Sequence, residues 1–182
     1  MQELKRLRDI IYKKSYREGE FTLAGGERSS VYFDLKQTTL DPEGIYLISK
    51  LFCEKLPEKV TAVGGLSVGA DPLVTGTSFY AYMYGRKIYG FYVRKKAKDH
   101  GTGTSLEGYS HLHSGQKVFI LEDVVTSGQS AMLAVLEAHK HGLNVLGVLS
   151  VVDRKEGGAD LFKKNGLLFL SLLAKDDVVY GI

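Results

Sequence analysis

Apolar and polar positions along the chain predict an alternation of strands and helices. From residue 59 onwards, short apolar runs of strand length alternate with segments in which apolar residues recur every three or four positions. Parallel sheets have this rhythm, because neighbouring parallel strands are usually joined by a helix. The predicted strands are VTAVGG, KIYGFYV, KVFILED, NVLGVLSVVD and LLFLSLL, and the predicted helices cover about 72–84, 130–141 and 159–166. We therefore expect an α/β fold with a central, mostly parallel sheet flanked by helices.

The first 58 residues predict a small N-terminal segment, which we call the hood. Residues 2–16 and about 42–56 have helical spacing, and the second helix opens with Asp41 and Pro42, a favourable cap followed by proline in the first turn. The stretch TLAGGERSSVYFDLK between them predicts a hairpin. Since no repeat, linker or break in composition marks a second domain, we expect one domain: the hood (1–58) and a core (59–182).

Composition narrows the class of protein. The 182 residues, 44% of them hydrophobic, are enough for one α/β domain. The net charge of +3 is mild, and the basic residues are spread apart except around Arg94 to Lys98, so nucleic-acid binding is not expected. Cys53 is the only cysteine, which excludes an intrachain disulfide and is consistent with a reducing compartment. No run has transmembrane length or the core of a signal peptide, so we expect a cytoplasmic protein without a membrane partner.

Four predicted strands end in glycine, charge or hydroxyl groups. GGLSVGADP, RKKAKDHG, EDVVTSG and DRKEGG follow the apolar parts of these strands. In open parallel sheets, ligands bind beyond the carboxyl ends of the strands. The four segments therefore predict one binding site at this edge of the sheet.

The stretch KVFILEDVVTSGQS carries the most specific chemistry. Its apolar run predicts a strand buried on both faces, so Glu122 and Asp123 are expected to emerge into solvent at the end of the strand. Residues 126–130 then offer hydroxyls and backbone N–H groups before a helix, an arrangement that binds phosphate. Acids beside a phosphate site suit a ribose 5-phosphate ligand, with Mg²⁺ neutralising the remaining charge. The alternative is an ordinary polar turn, which would not explain adjacent acids at the end of an apolar strand.

The segment 94–108 has four cations in five positions, followed by Asp99, His100 and several glycines. Arg94, Lys95, Lys98 and His100 could together stabilise a pyrophosphate leaving group in a loop that excludes water. The alternative is a solvated run of charge, but its position after a strand favours the first interpretation.

These motifs resemble a known family. KVFILEDVVTSGQS is similar to the phosphoribosyl pyrophosphate (PRPP) signature of type I phosphoribosyltransferases, and RKKAKDHG followed by EG resembles the catalytic loop of the orotate phosphoribosyltransferase family. SSVYFDLK, GGLSVGADP and VVDRKEGG match other segments of that family, so the resemblance covers nearly the whole chain. It implies Mg²⁺-dependent transfer of the 5-phosphoribosyl group from PRPP to orotate in pyrimidine biosynthesis. It also implies a homodimer in which loop 94–108 completes the partner's active site.

The resemblance assigns a role to each matching residue. Tyr32 and Phe33 would flank the orotate ring, and Thr126 and Arg154 would meet its polar edge and carboxylate. No metal ligand is expected from the protein alone, since Mg²⁺ would arrive with PRPP near the acid pair. The implied catalytic residues are Lys98, His100 and Asp123. The implied PRPP-binding residues are Arg94, Lys95, Lys98, His100, Glu122, Asp123, Val124, Val125, Thr126, Ser127, Gly128, Gln129 and Ser130.

Simpler interpretations remain for some of these residues. One of the two aromatic residues Tyr32 and Phe33 could be a core residue, and Arg154 could pair with Asp153 or Glu156 on the surface. The chain also has Ala24 and Gly69 where many family members have lysine, and Glu122 where aspartate is commoner. The alternative functions are phosphoribosyl transfer to uracil or a purine, a PRPP-sensing regulator without catalysis, and a structural role.

Overall fold

A six-stranded sheet lies at the centre of the fold. The computed structural model describes residues 2–22, 28–95 and 105–181. The strands are β1 Tyr16–Thr22, β2 Arg28–Phe33, β3 Ala62–Leu66, β4 Tyr89–Val93, β5 Leu106–Glu107, β6 Lys117–Val125, β7 Asn144–Asp153 and β8 Leu168–Ala174. The α-helices are α1 Gln2–Lys14, α2 Lys36–Thr39, α3 Pro42–Lys55, α4 Asp71–Met83, α5 Gln129–Lys140, α6 Gly158–Lys164 and α7 Lys175–Tyr180. A 3₁₀ turn covers Tyr109–His111.

The sheet has the strand order β5-β4-β3-β6-β7-β8. All neighbours in it are parallel except the short edge strand β5, which is antiparallel to β4. The sheet is covered on both faces, so alternate residues of one strand pack into a core on one face or on the other. In β6, Phe119 and Leu121 pack in the core that includes residues of α1, α3 and α4, whereas Val118 and Ile120 pack in the core that includes residues of α5 and α6. The expected α/β architecture is confirmed.

The hood contains the antiparallel hairpin β1–β2, in which Tyr16 is opposite Phe33. The predicted first helix was two residues too long, since α1 ends at Lys14 and Tyr16 already pairs in the hairpin. Strand β1 therefore begins before the stretch from which the hairpin was predicted. The short elements β5, α2 and α7 were not predicted. No helix in the described residues has the length and apolar character needed to cross a membrane.

Candidate active site

The loops that follow β3, β6 and β7 meet at the carboxyl edge of the sheet. Gly69, after β3, lies against the acid pair: a Cβ placed on it would be 3.1 Å from Asp123 Oδ2. On the other side, the backbone N–H of Arg154 donates to Val125 O at 2.9 Å, and that of Gly158 donates to Thr126 O at 3.0 Å. Three of the four predicted segments are thus in contact, as the sequence suggested.

We had expected Glu122 at the solvent-exposed end of its strand, and the structure does not place it there. Strand β6 continues to Val125, and the Glu122 side chain is only 6% exposed. Its Oε1 accepts the backbone N–H of Asp123 at 3.3 Å, while Oε2 is buried without a hydrogen-bond partner in the described part of the chain. Burial raises the pKa of Glu122 well above its usual range, and the charge of Asp123 raises it further. A buried polar atom without a partner is costly, so a ligand hydroxyl would be a favourable addition here.

Asp123 is more accessible than Glu122 and is only partly buried. Its Oδ1 accepts the N–H of Val124 at 2.7 Å, which orients the carboxylate next to the loop at Gly69. The two acids therefore differ: one is a buried carboxyl with an elevated pKa, and the other is a carboxylate at the rim. Such a pair can bind hydroxyl groups. A carboxylate accepts a hydrogen bond from a hydroxyl, and a carboxyl can also bind one when protonated, because it then donates as well as accepts.

The loop from Thr126 to Ser130 leads directly into α5. Gly128 precedes the helix with φ +83°, and a Cβ on it would lie 2.9 Å from the ring of Phe162. Gly158 is similarly restricted, because its Cβ would lie 2.3 Å from Val125. The loop is thus packed tightly against the segment after β7. Since Gly128 offers no side-chain cap, the first N–H groups of α5 remain available for an anion. Ser127, Gln129 and Ser130 are exposed.

Arg154 is buried rather than on the surface. It is 5% exposed, and its Nε and Nη2 lie 3.1 and 3.0 Å from Glu156 Oε1. Nη2 also donates to Ser29 Oγ of the hood at 2.9 Å. The Glu156 alternative was therefore right about the partner and wrong about the location. The contact with Ser29 was not predicted, because nothing in the local sequence connects positions 125 residues apart.

The two aromatic residues of the hairpin have different environments. Phe33 is 6% exposed and packs against Tyr16, with ring centroids 5.6 Å apart. Tyr32 points to the other face, is 39% exposed, and lies 5.4 Å from the ring of Phe21. Of this pair only Tyr32 is exposed enough to contact a ligand, and the assignment of Phe33 beside orotate is corrected to a core role. The interpretation that one of the two is a core residue is confirmed.

The cations after β4 are not all available to interact with the acid pair. Arg94 Nε is bound to Glu107 Oε1 at 2.9 Å, and its backbone N–H donates to Ser105 O at 2.8 Å. Lys95 is exposed, and its charge lowers the pKa of Glu122, which opposes the larger effect of burial. Lys98 and His100 lie outside the described residues.

Lys36 is a cation of the site that sequence reasoning missed. It begins α2, three residues after the end of the hairpin strand that carries Tyr32, and its Nζ is 3.2 Å from Asp34 Oδ1. The hydrogen bond with Asp34 raises the pKa of Lys36, and the charge of Asp123 adds to this effect. Its position in the SSVYFDLK motif was the available signal.

The acid pair fits a metal ion that is held mainly by its substrate. In the described residues, no group of three His, Cys, Asp or Glu side chains is arranged to hold a metal. Mg²⁺ prefers oxygen ligands and commonly binds through one or two carboxylates together with substrate phosphates. Glu122 and Asp123 supply carboxylate oxygens of this kind, one of them without a partner.

Comparison with known proteins agrees with the geometry. No family model matches the chain. The chain is 42% identical over 183 residues to the orotate phosphoribosyltransferase of Aquifex aeolicus, covering 98% of this chain and 99% of the relative. It is 44% identical over 165 residues to that of Nostoc sp., covering 91% and 80%. The structure of Mycobacterium tuberculosis H37Rv orotate phosphoribosyltransferase in complex with PRPP superimposes with a TM-score of 0.79 at 32% identity, covering 97% of this chain and 99% of that one. This chain belongs to the orotate phosphoribosyltransferase family.

Proposed function

We propose that this chain transfers the 5-phosphoribosyl group from PRPP to N1 of orotate, giving orotidine 5'-monophosphate and pyrophosphate for pyrimidine biosynthesis. One observation carries the proposal. The acid pair, the start of α5 and the buried guanidinium of Arg154 share one edge of the sheet. These groups suit ribose hydroxyls, a 5-phosphate and a carboxylate, which are the groups that PRPP and orotate present together.

The protein's contribution is positioning and electrostatics. The 5-phosphate would bind residues 126–130 at the start of α5, and the ribose hydroxyls would reach Glu122 and Asp123. As the bond to pyrophosphate breaks ahead of attack, positive charge develops on the ribose, and the Asp123 carboxylate stabilises it. Orotate N1 is acidic, so no strong general base is required. We assign Lys95, Lys98 and His100 to the leaving pyrophosphate. We place Arg94 in the same region, where it pairs with Glu107.

We include Mg²⁺ as the cofactor. Bound to PRPP, the ion would neutralise pyrophosphate charge near Glu122 and Asp123. The partnerless Oε2 of Glu122 and the carboxylate of Asp123 support this assignment.

Arg154 distinguishes orotate from uracil in this proposal. A guanidinium is well matched to a carboxylate, and the buried position of Arg154 strengthens the interaction relative to a surface pair. Tyr32 would stack on the pyrimidine ring, and Thr126 would meet its polar edge. Uracil lacks the carboxylate and would leave Arg154 without that partner.

We also propose a homodimer in the cytosol, with loop 94–108 shared between subunits. An exposed apolar surface at the end of α4 supports the dimer: Phe79, Tyr82, Met83 and Tyr84 are 67, 73, 62 and 68% exposed. Exposed patches of this kind mark protein interaction sites. The single-domain organisation belongs to the same proposal, and the Arg154–Ser29 hydrogen bond, which joins hood and core, supports it.

The decisive test is an assay with purified protein, PRPP, Mg²⁺ and orotate, followed by orotate's ultraviolet absorbance. Orotate should be consumed only when PRPP and Mg²⁺ are both present, and uracil should be a far poorer acceptor. Turnover of uracil equal to that of orotate would remove the role of Arg154. Absence of orotate turnover in the complete mixture would refute the proposed reaction.

The shared loop can be tested by mixing two inactive chains, Lys98→Ala and Asp123→Asn. If the loop acts on the partner's site, one site of the mixed dimer holds both intact groups and activity returns. Subunit exchange must be shown independently by mass. With exchange established, a mixture no more active than its parts would show that the loop serves its own subunit.

A further inference from the structure

The guanidinium of Arg154 is held by two residues from different parts of the chain. Glu156 Oε1 accepts a hydrogen bond from Nε at 3.1 Å and lies 3.0 Å from Nη2 as an ion pair. Ser29 accepts from Nη2 at 2.9 Å. Glu156 lies two residues further along the loop after β7, whereas Ser29 belongs to β2 of the hood. The side chain of Arg154 is therefore fixed between hood and core.

The hydroxyl of Ser29 is already oriented for this contact. Its Oγ donates to Val31 O at 2.8 Å and receives the Val31 N–H at 3.2 Å. Because the hydroxyl proton is engaged with Val31, the oxygen presents a lone pair to Arg154 and cannot compete as a donor. Ser29 thus acts as a fixed acceptor.

The hydrogen bonds divide the five donors of the guanidinium. Nε donates to Glu156 Oε1, which also lies beside Nη2, and Nη2 donates to Ser29 Oγ. The two hydrogens of Nη1 have no acceptor in the described residues. The free side of the guanidinium is therefore the one at Nη1, and a carboxylate that approaches it meets a group that cannot rotate away.

We propose that Ser29 and Glu156 are positioning residues that set specificity for the acceptor carboxylate by fixing the orientation of Arg154. This inference rests on the proposed function and extends it. Glu156 contributes chiefly as a hydrogen-bond acceptor. Its negative charge opposes this role, since it neutralises part of the positive charge on Arg154 that would attract a carboxylate. A neutral acceptor of the same shape should therefore serve as well.

The test compares Glu156→Ala with Glu156→Gln in steady-state assays with orotate and with uracil. Loss of the acceptor oxygen in Glu156→Ala should raise KM for orotate by about tenfold, as expected for one charge-assisted hydrogen bond, with a smaller change in kcat. The ratio of orotate to uracil turnover should fall by a similar factor. Glu156→Gln, whose amide oxygen can accept from the same edge, should restore KM for orotate to within about twofold of the parent.

Ser29→Ala should raise KM for orotate in the same way, whereas Ser30→Ala, on the neighbouring exposed residue, should not. Glu43→Ala is the control for loss of an arginine–glutamate ion pair elsewhere, because Glu43 accepts from Nε and Nη2 of Arg6 at 2.7 and 2.6 Å. Thermal midpoints of all variants should be recorded.

Unchanged KM in Glu156→Ala and Ser29→Ala, with an active parent, would refute the positioning role alone. An equal rise in Glu156→Gln and Glu156→Ala would refute the claim that geometry rather than charge matters. An inactive parent would refute the proposed function and this inference together.

Discussion

Glu122→Gln is predicted to stabilise the protein, and to do so only above acidic pH. In the folded chain the carboxyl is 6% exposed, Oε2 has no partner in the described residues, and the charge of Asp123 is adjacent. Gln has nearly the same shape, cannot ionise, and resembles the protonated acid. Its N–H can donate to the Asp123 carboxylate, which the ionised glutamate cannot do.

The sign of the pH dependence follows from the direction of the pKa shift. Burial and Asp123 raise the pKa of Glu122 above its ordinary value of 4.5, so the folded protein holds this proton more tightly than the unfolded chain. The parent therefore loses stability as the pH rises from about 4.5 to the folded pKa, and the loss is complete above it. Each unit of difference corresponds to about 1.4 kcal/mol. Gln avoids this loss, so its advantage is absent in acid and grows through the window.

The size of the effect can be bounded from the unpaired oxygen. Leaving a buried polar group without a partner costs about 1–3 kcal/mol. For a chain of this length, that corresponds to a rise of roughly 2–12 °C in thermal midpoint. The assay is thermal unfolding of both proteins from pH 4.5 to 8.5, with Glu58→Gln, an exposed glutamate, as control. A Glu122→Gln midpoint equal to or below that of the parent at pH 8, or an offset that does not change with pH, would refute the reasoning.

Three other predictions concern the same edge of the sheet. Asp123→Asn should reduce turnover strongly while its thermal midpoint matches or exceeds that of the parent, because removing the charge also relieves Glu122; unfolding without a separate catalytic effect would make Asp123 structural. Gly69→Ala should lower kcat severalfold with little change in midpoint, because the new methyl group would lie 3.1 Å from Asp123 Oδ2 and must displace it; an unchanged kcat would show that this carboxylate tolerates movement. PRPP with Mg²⁺ should raise the thermal midpoint more than orotate alone, since PRPP supplies hydroxyls to Glu122 whereas Arg154 already has partners; the reverse order would contradict this difference.

The central strands could be predicted because their sequence pattern has one interpretation. Strand β7 was predicted with the bounds at which it lies, Asn144–Asp153, since a ten-residue apolar run ending in charge suits a strand covered on both faces. The end of α1 was misjudged because Tyr16 also fits the helical spacing. Its pairing with Phe33, 17 residues away, decided the outcome. Strand β5, with two residues, has no periodicity to detect.

The site could be located from sequence, but the environment of its charges could not. A pattern of apolar residues followed by acids suggests that the strand ends at the first acid. In the fold, β6 continues beside β7, with Glu122 opposite Ser150 in register, and this pairing keeps the carboxyl inside. Arg154 lies in a charged run typical of a surface loop, and it is buried because the hood covers it through Ser29. Both differences depend on contacts between distant segments.

The buried charges of the described residues are concentrated at two neighbouring strand ends. Glu122, Asp153 and Arg154 are each at most 6% exposed, at the carboxyl ends of β6 and β7. Burying charge is unfavourable unless it is paired, and these residues are not paired equally. Asp153 Oδ2 forms an ion pair with Lys155 at 3.1 Å, and Arg154 binds Glu156 and Ser29. Glu122 Oε2 has neither a hydrogen bond nor an ion pair in the described residues. The side assigned to orotate is therefore organised before the ligand binds, and the side assigned to PRPP still needs a partner for its acid. This difference accounts for the distinct effects expected from the two ligands.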